Sequence, residues 1–231
     1  MSLLEPEKID VDEIMEIMDS YEMEIPALGT GSTFIRFGFS FGDLEASNRR
    51  KAIERIEKYI EFGQKTHSKV IIGLIRGRYK SDSNPTKERL NIISSLKECC
   101  KIAENHGVEL VFEPINQFEI DSYNTFSESK ELIEEIGSDH LKLLIDSFHT
   151  NLEEDPTYIW DELKSISHHI GHVHLSDTTR RDPGSGHFDF KKFLSILKTA
   201  GYDKYVSLET IMKPSFNEVA KKSAQHLSSL L

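Results

Sequence analysis

The sequence predicts an α/β protein of the (β/α)8 TIM-barrel type, and three observations support this fold class. Apolar, β-branched segments alternate with segments of helical spacing, which indicates parallel strands joined by right-handed crossovers. Glycine or proline marks many of the boundaries between these segments. Metal-capable side chains follow four successive strands, at the end where barrel enzymes carry their chemistry. About six strands are expected, beginning near residues 24, 69, 108, 141, 170 and 204.

The individual elements follow from local patterns. Apolar residues between Val11 and Met18 recur at helical spacing, and Asp10 with Glu13 resembles a capping box. The run 69–75 is apolar and β-branched, which is typical of a strand buried on both faces. Helices are expected at 10–22, 48–67, 84–107, 127–137, 155–169, 189–201 and 215–231, and strands at 23–31, 69–75, 108–114, 141–149, 170–177 and 204–210.

The length of the chain falls short of a complete barrel. Eight strand–helix units typically need about 250 residues, whereas the chain has 231 residues. The deficit is at the front, where the chain opens on a polar loop and a helix. We therefore expect one domain over residues 1–231, an N-terminally truncated barrel that lacks its first two strands. A doubly wound sheet is disfavoured because the sequence LGTGST lacks the GxGxxG spacing of a phosphate loop.

Composition and charge narrow the class of protein. The formal net charge of −11 argues against a protein that grips a nucleic-acid backbone. The chain has no apolar run near the roughly 20 residues that span a bilayer, and its start lacks a signal-peptide pattern. Cys99 and Cys100, adjacent in a helical pattern, are expected to be reduced. A cytoplasmic protein without nucleic-acid or membrane partners is predicted.

The metal-capable residues at the strand ends are Glu113, Asp146, His174 and Glu209. They are separated by 33, 28 and 35 residues, about one strand–helix repeat each. In a closed barrel such residues converge above the axis, whereas in an open sheet they spread along an edge. Three carboxylates and one imidazole suit Mn²⁺ best, with Mg²⁺ or Co²⁺ as alternatives, since zinc prefers more nitrogen or sulfur. A single divalent metal site is therefore predicted.

The motifs around these residues resemble those of the xylose isomerase-like TIM barrels. They are EPINQFE, DSFH, HVHLSDTTR followed by PGSGHFDF, and SLET. That superfamily holds sugar isomerases, sugar epimerases and endonuclease IV, and the sequence is most similar to its ketose 3-epimerases, the tagatose and psicose 3-epimerase group. The resemblance runs from about residue 24 to the C-terminus and is strongest over 108–210.

The resemblance implies a role for each matching residue. The implied metal ligands are Glu113, Asp146, His174 and Glu209, of which Glu113 and Glu209 are also the implied catalytic acid/base pair. The residues implied to bind substrate are Glu119, His149 and Arg180. His172 is interpreted as structural, pointing away from the site by strand alternation or lying deeper.

The predicted function is a metal-dependent epimerase or isomerase of a sugar or sugar phosphate. A ketose epimerase removes a proton next to the carbonyl, the divalent cation stabilises the enediolate, and a second carboxylate returns a proton on the opposite face. An aldose–ketose isomerase would use the same residues and is the first alternative. The expected partner is the small sugar, and a homo-oligomer is left open.

Two alternatives belong to other classes. A DNA-repair nuclease like endonuclease IV needs histidines from earlier strands and an Asp-x-His pair. Here the first histidine is His67, late in a predicted helix, and the segment RRDPGSGH lacks that pair. A truncated, inactive scaffold is the second alternative, and failure to bind a divalent ion would favour it.

Overall fold

The computed structural model describes residues 1, 4–79 and 84–230 and contains the alternation of strands and helices that the sequence predicts. Six strands lie in the described part of the chain, and the first pairs in parallel with the second, the second with the third, the fourth with the fifth and the fifth with the sixth. The strands are β1 (Ala27–Gly29), β2 (Lys69–Ile72), β3 (Leu110–Phe112), β4 (Leu141–Asp146), β5 (Ile170–Leu175) and β6 (Val206–Leu208). The α-helices are α1 (Val11–Ser20), α2 (Gly31–Phe37), α3 (Ala46–Thr66), α4 (Pro85–His106), α5 (Phe126–Ile136), α6 (Ser147–Glu153), α7 (Ile159–Ile166), α8 (Phe190–Thr199) and α9 (Phe216–Ser228).

The chain divides into two compact units, and the first comprises residues 1–113, 117–122 and 131–142. In this unit β1 pairs with β2 and β2 with β3, with Leu28 opposite Val70 and Ile71 opposite Val111. These strand residues are almost fully buried, and α3 packs against β2 and α4. The first unit therefore has its own apolar core around a three-stranded parallel sheet.

The second unit comprises residues 114–116, 123–130 and 143–231. All six residues of β5 are buried, between β4 on one side and β6 on the other. The pairing places Asp146 opposite His174 and His174 opposite Ser207. The register alone therefore places the polar side chains at the carboxyl ends of these strands at the same height along the strand direction.

Three local features differ from the sequence prediction. Helix α2 was not predicted, and it follows β1 after only Thr30. The strand predicted to run to 149 ends at Asp146, because the Asp146 side chain accepts the N–H of Phe148 and caps α6. Helix α7 begins at Ile159 rather than near Pro156, since the Asp155 carboxylate accepts the N–H of Thr157 and holds a turn there.

The predicted N-cap of α1 is confirmed, and α4 also begins at a capping side chain. Asp10 accepts hydrogen bonds from the N–H groups of Asp12 and Glu13, and the Asn84 side chain accepts one from Lys87. Among the described residues, the helices lack the combination of length and apolar character that a membrane crossing needs. Cys99 and Cys100 are free and buried, and burial raises the pKa of Cys100 to about 11, which keeps the thiol protonated.

Glu154 is a buried link inside the second unit, directly after α6. One of its carboxyl oxygens accepts the backbone N–H of Phe126, the first residue of α5, at 2.7 Å. Its side chain also shares a hydrogen bond with Glu162 of α7. Burial, followed by the contact with Glu162, raises the pKa of Glu154 to about 8. The Glu154 carboxyl is therefore largely protonated at neutral pH.

We expect the free energy of unfolding to fall as the pH rises toward 8. The folded-state pKa of Glu154 lies above the ordinary glutamate value of 4.5, so the folded protein holds a proton that the unfolded chain releases. The contribution is complete below about pH 4.5 and is lost as the pH rises through about 8, at up to about 1.4 kcal/mol per pH unit. Glu154→Gln should flatten this part of the curve, measured by urea unfolding from about pH 5 to pH 9.

The matched control for this prediction is Glu131→Gln, which alters an exposed glutamate of α5. The Glu131→Gln curve should parallel the wild-type curve. A Glu154→Gln curve with the wild-type slope would contradict the assignment of a shared proton to this pair.

Candidate metal centre

Three metal-capable side chains of the second unit meet at the carboxyl ends of its strands. Asp146 is the last residue of β4, His174 lies one residue before the end of β5, and Glu209 directly follows β6. Each offers one ligand atom, and these atoms lie within 4.8 Å of one another. The second unit therefore brings together three of the four residues predicted as metal ligands, and their role as ligands stays a prediction.

Hydrogen bonds join the cluster. Glu209 Oε2 accepts from His174 Nδ1 and from Arg180 Nη2, each at 2.7 Å. Arg180 Nη1 donates to Asp146 Oδ2, also at 2.7 Å. One guanidinium thus bridges carboxylates from two different strands, which offsets the repulsion that they would otherwise exert on each other.

The electrostatics favour ionised carboxylates. Asp146 is buried, His174 is 8% exposed, and the Glu209 side chain is about half-exposed. Desolvation opposes ionisation of Glu209, but the hydrogen bond and charge of His174 and the charge of Arg180 outweigh it and hold the pKa of Glu209 well below its usual value. When the His174 ring is neutral, the cluster can present two anionic oxygens and one imidazole nitrogen, a donor set that suits a divalent cation.

Arg180 is held by more than its two ion pairs. Its backbone adopts a left-handed conformation with φ of 60°, which is uncommon for a residue other than glycine. Its carbonyl accepts the N–H of Ile211, two residues after Glu209, at 2.7 Å. Its guanidinium carbon lies 4.8 Å from the centre of the Phe148 ring. These contacts tie Arg180 to the segments that carry both carboxylates.

Asp177 organises the loop that follows β5, a role that the sequence reasoning missed. The buried carboxylate accepts backbone N–H groups of Thr178 and Gly184, each at 2.8 Å, and of Phe188 at 3.2 Å. A Cβ at Gly186 would lie 2.2 Å from Asp177 Oδ1. The sequence signal was the aspartate directly before a glycine-rich segment, since such a carboxylate can take several loop N–H groups.

The remaining predicted ligand, Glu113, belongs to the first unit and directly follows β3. It is 7% exposed, and its carbonyl oxygen accepts Arg76 Nη1 at 2.7 Å. Arg76 is fully buried, stacks 4.4 Å from the centre of the Phe112 ring, and also donates to the carbonyl of Ser122. Arg76 therefore joins the two ends of the loop that begins at Pro114, which sequence reasoning did not anticipate.

Two further residues are implied to bind substrate, Glu119 and His149. Glu119 is exposed in a turn that belongs to the first unit. His149 is buried in α6 of the second unit, and its Nδ1 lies 2.7 Å from the side-chain amide of Asn116. Their roles in binding substrate stay predictions.

The orientation expected for His172 is wrong in one respect. Residues two apart on a strand share a face, and the His172 and His174 rings meet edge to face with centres 5.2 Å apart. His172 lies deeper, 1% exposed, with Nε2 3.0 Å from Ser207 Oγ. Its structural interpretation is compatible with this position below the cluster.

Sequence comparison assigns the chain to a family. Residues 2–230 match the family model of the xylose isomerase-like TIM barrels. The chain belongs to this family, and the predicted fold class is confirmed.

Two relatives are sugar epimerases. A D-psicose 3-epimerase of Enterocloster bolteae is 32% identical over 122 residues, which cover 53% of this chain and 40% of the relative. An L-ribulose 3-epimerase of Mesorhizobium japonicum is 26% identical over 96% of this chain and 74% of the relative. The chain thus matches less than half the length of the psicose epimerase.

A solved structure extends the comparison of the fold. The IOLI protein, crystallised with a binding zinc atom, superposes with a TM-score of 0.79 at 20% identity, covering 97% of this chain and 82% of that one. At this identity the likeness supports the fold alone. The barrel class predicted from strand order and strand ends is therefore also supported by a known structure.

We expect Asp177→Asn to loosen the 178–188 loop. The substitution replaces one acceptor oxygen by an NH₂ group that faces backbone N–H donors. Loss of these charge-assisted bonds should lower the free energy of unfolding by about 1.5–3 kcal/mol and speed hydrogen exchange at the Gly184 and Phe188 amides. Asp182→Asn, in the same loop, is the control and should leave both measurements unchanged. Equal effects from the two variants would contradict this role.

Proposed function

We propose that this chain is a divalent-metal-dependent ketose epimerase of the isomerase class. The observation that carries the proposal is the meeting of Asp146, His174 and Glu209 at one level of the second unit, with Arg180 bridging the two carboxylates. The psicose and ribulose epimerases among the relatives support a sugar as substrate. We propose that the whole chain binds a carbohydrate substrate. This substrate is either a sugar or a sugar phosphate.

The metal ligands proposed are Asp146, His174 and Glu209, with Glu113 as the fourth. Glu113 offers a carboxylate at the end of the preceding strand, and the next residue, Pro114, already belongs to the second unit. Oxygen donors dominate this set, so Mn²⁺ is the ion proposed, before Mg²⁺ or Co²⁺. A bound cation would supply charge stabilisation for oxygens of the substrate next to the carbon that loses its proton.

Proton transfer and substrate binding are assigned to side chains of the chain itself. Glu209 and Glu113 are proposed as the acid/base pair, one taking the proton and the other returning it. The low pKa of Glu209 keeps this carboxylate ionised and able to accept. Arg180, His149 and Glu119 are proposed to bind and orient oxygens of the sugar. Arg180 also keeps its charge at every physiological pH, so its donors are always available.

An aldose–ketose isomerase is the remaining candidate of the same chemistry. A nuclease is not favoured, because the formal net charge of −11 repels a polyanionic substrate. A cytoplasmic location is proposed, which agrees with two buried, free cysteines. A homo-oligomer stays a prediction that light scattering would test.

Proton exchange in D₂O tests the reaction. With Mn²⁺ present, at least one substrate in a panel of ketoses and ketose phosphates should incorporate deuterium with inversion at C3 or C4. NMR spectra, recorded after removal of the metal, measure both changes. Exchange at C1 or C2 with conversion to an aldose would instead favour the isomerase. Absence of exchange at any carbon in every substrate would overturn the proposal.

Glu209→Gln should lower the exchange rate by about 10²- to 10⁴-fold, because an amide cannot act as the base. Glu218→Gln, an exposed glutamate of α9, is the control and should keep the wild-type rate. Circular dichroism and unfolding curves of both variants check that the fold is kept. Wild-type exchange in Glu209→Gln would refute its catalytic role.

Metal binding is expected to depend on Asp146. Asp146→Asn keeps an oxygen that can cap α6 but removes the negative charge, so the Mn²⁺ affinity should fall at least about tenfold. Titration followed by the electron paramagnetic resonance of free Mn²⁺ measures this, with Asp182→Asn as control. A wild-type protein that binds no divalent ion would favour the inactive scaffold.

A further inference from the structure

Asn116 and His149 form a buried polar pair in the second unit. Asn116 is 1% exposed and lies two residues after Pro114, while His149 is 4% exposed and lies three residues after Asp146 on α6. The side-chain nitrogen of Asn116 is 2.7 Å from His149 Nδ1. This distance is a full hydrogen bond, so the hydrogen on one of the two groups must point at the other.

The backbone decides which group carries that hydrogen. The main-chain N–H of Asn116 also points at His149 Nδ1, at 3.5 Å. A backbone N–H can only donate, so Nδ1 is the acceptor and bears no hydrogen. With its Nδ1 lone pair engaged in this way, the neutral His149 ring carries its hydrogen on Nε2.

The consequence concerns Nε2, the other nitrogen of the His149 ring. A neutral imidazole with Nδ1 satisfied has one remaining polar function, the Nε2–H group, and this group donates. This donor carries no charge of its own while the ring is neutral. Such a donor suits an oxygen that gains negative charge during reaction, since a fixed hydrogen bond stabilises that charge without reorganisation.

We propose that Asn116 is a positioning residue that fixes His149 as the Nε2–H tautomer, so that His149 acts on the substrate as an obligate, neutral hydrogen-bond donor. The group that it recognises is a carbonyl or hydroxyl oxygen of the sugar. This inference rests on the proposed function for its substrate, but the state of the ring is a property of the protein alone.

The tautomer is measured first, without substrate. Long-range proton–nitrogen correlation NMR of labelled, Mg²⁺-loaded protein distinguishes a protonated Nε2 from a protonated Nδ1, and loss of the signal in His149→Gln assigns it. The wild-type ring should show Nε2 protonated and Nδ1 bare. A protonated Nδ1, or a fast mixture of the two tautomers, would overturn the proposal whatever the catalytic activity.

The isosteric variant Asn116→Asp replaces the amide donor by a carboxylate, whose charge-assisted bond to the ring at short range outweighs the long 3.5 Å contact of the backbone N–H. Its carboxylate accepts, so Nδ1 becomes protonated, and Nε2 then carries a hydrogen only while the ring is cationic. At low pH, the turnover of this variant should follow the wild-type profile. At high pH, its turnover should fall below that of the wild type by up to about 10²-fold. A merely structural defect would instead lower turnover equally at every pH.

The matched control is Asn124→Ala, which removes a side-chain amide that donates to the carbonyl of Ile115 at 2.6 Å in the neighbouring loop. It should leave the His149 tautomer and the shape of the pH profile unchanged. The same new alkaline loss in Asn124→Ala would refute a specific role for Asn116. An Nε2–H ring in a protein that exchanges no sugar proton would uphold the tautomer and overturn the proposed function instead.

Discussion

The bridge from Arg180 to Asp146 and Glu209 is the interaction on which the candidate site depends. Two carboxylates at the ends of strands that flank β5 would repel each other, and one of them is almost fully buried. A guanidinium within 2.7 Å of both makes their close approach favourable.

The bridge in turn depends on the backbone around it. Arg180 takes an uncommon left-handed conformation, which costs on the order of 1–2 kcal/mol in an isolated chain. Hydrogen bonds of the Asp177–Arg181 turn, together with the bond from Ile211 to the Arg180 carbonyl, hold that conformation. The strained residue is thus the one whose side chain must reach two carboxylates at once, as is common where a site must be preorganised.

Much of this arrangement could be predicted from the sequence, because it follows from period and register. Strand order, helix caps and the level shared by Asp146 and His174 all derive from patterns that act over a few residues. The contacts that were missed share a different cause. Arg76, Asp177 and Asn116 all bond to backbone groups or to a ring nitrogen, and such partners leave no mark in the pattern of side-chain types. The predicted direction of His172 failed for a simpler reason, since alternation of period two puts residues 172 and 174 on one face.

A buried carboxylate stabilises the loop after β5. Asp177 gathers three backbone N–H groups around one buried carboxylate, and Gly186 lacks the Cβ that would collide with it. Its shape therefore depends on main-chain donors and on the glycines at 184 and 186 rather than on the side chains of its exposed residues. Residues such as Arg181 and Ser185 are consequently free to change in identity while the loop keeps its path. A fold with this construction can acquire new ligand preferences by surface substitution without rebuilding the cluster beneath.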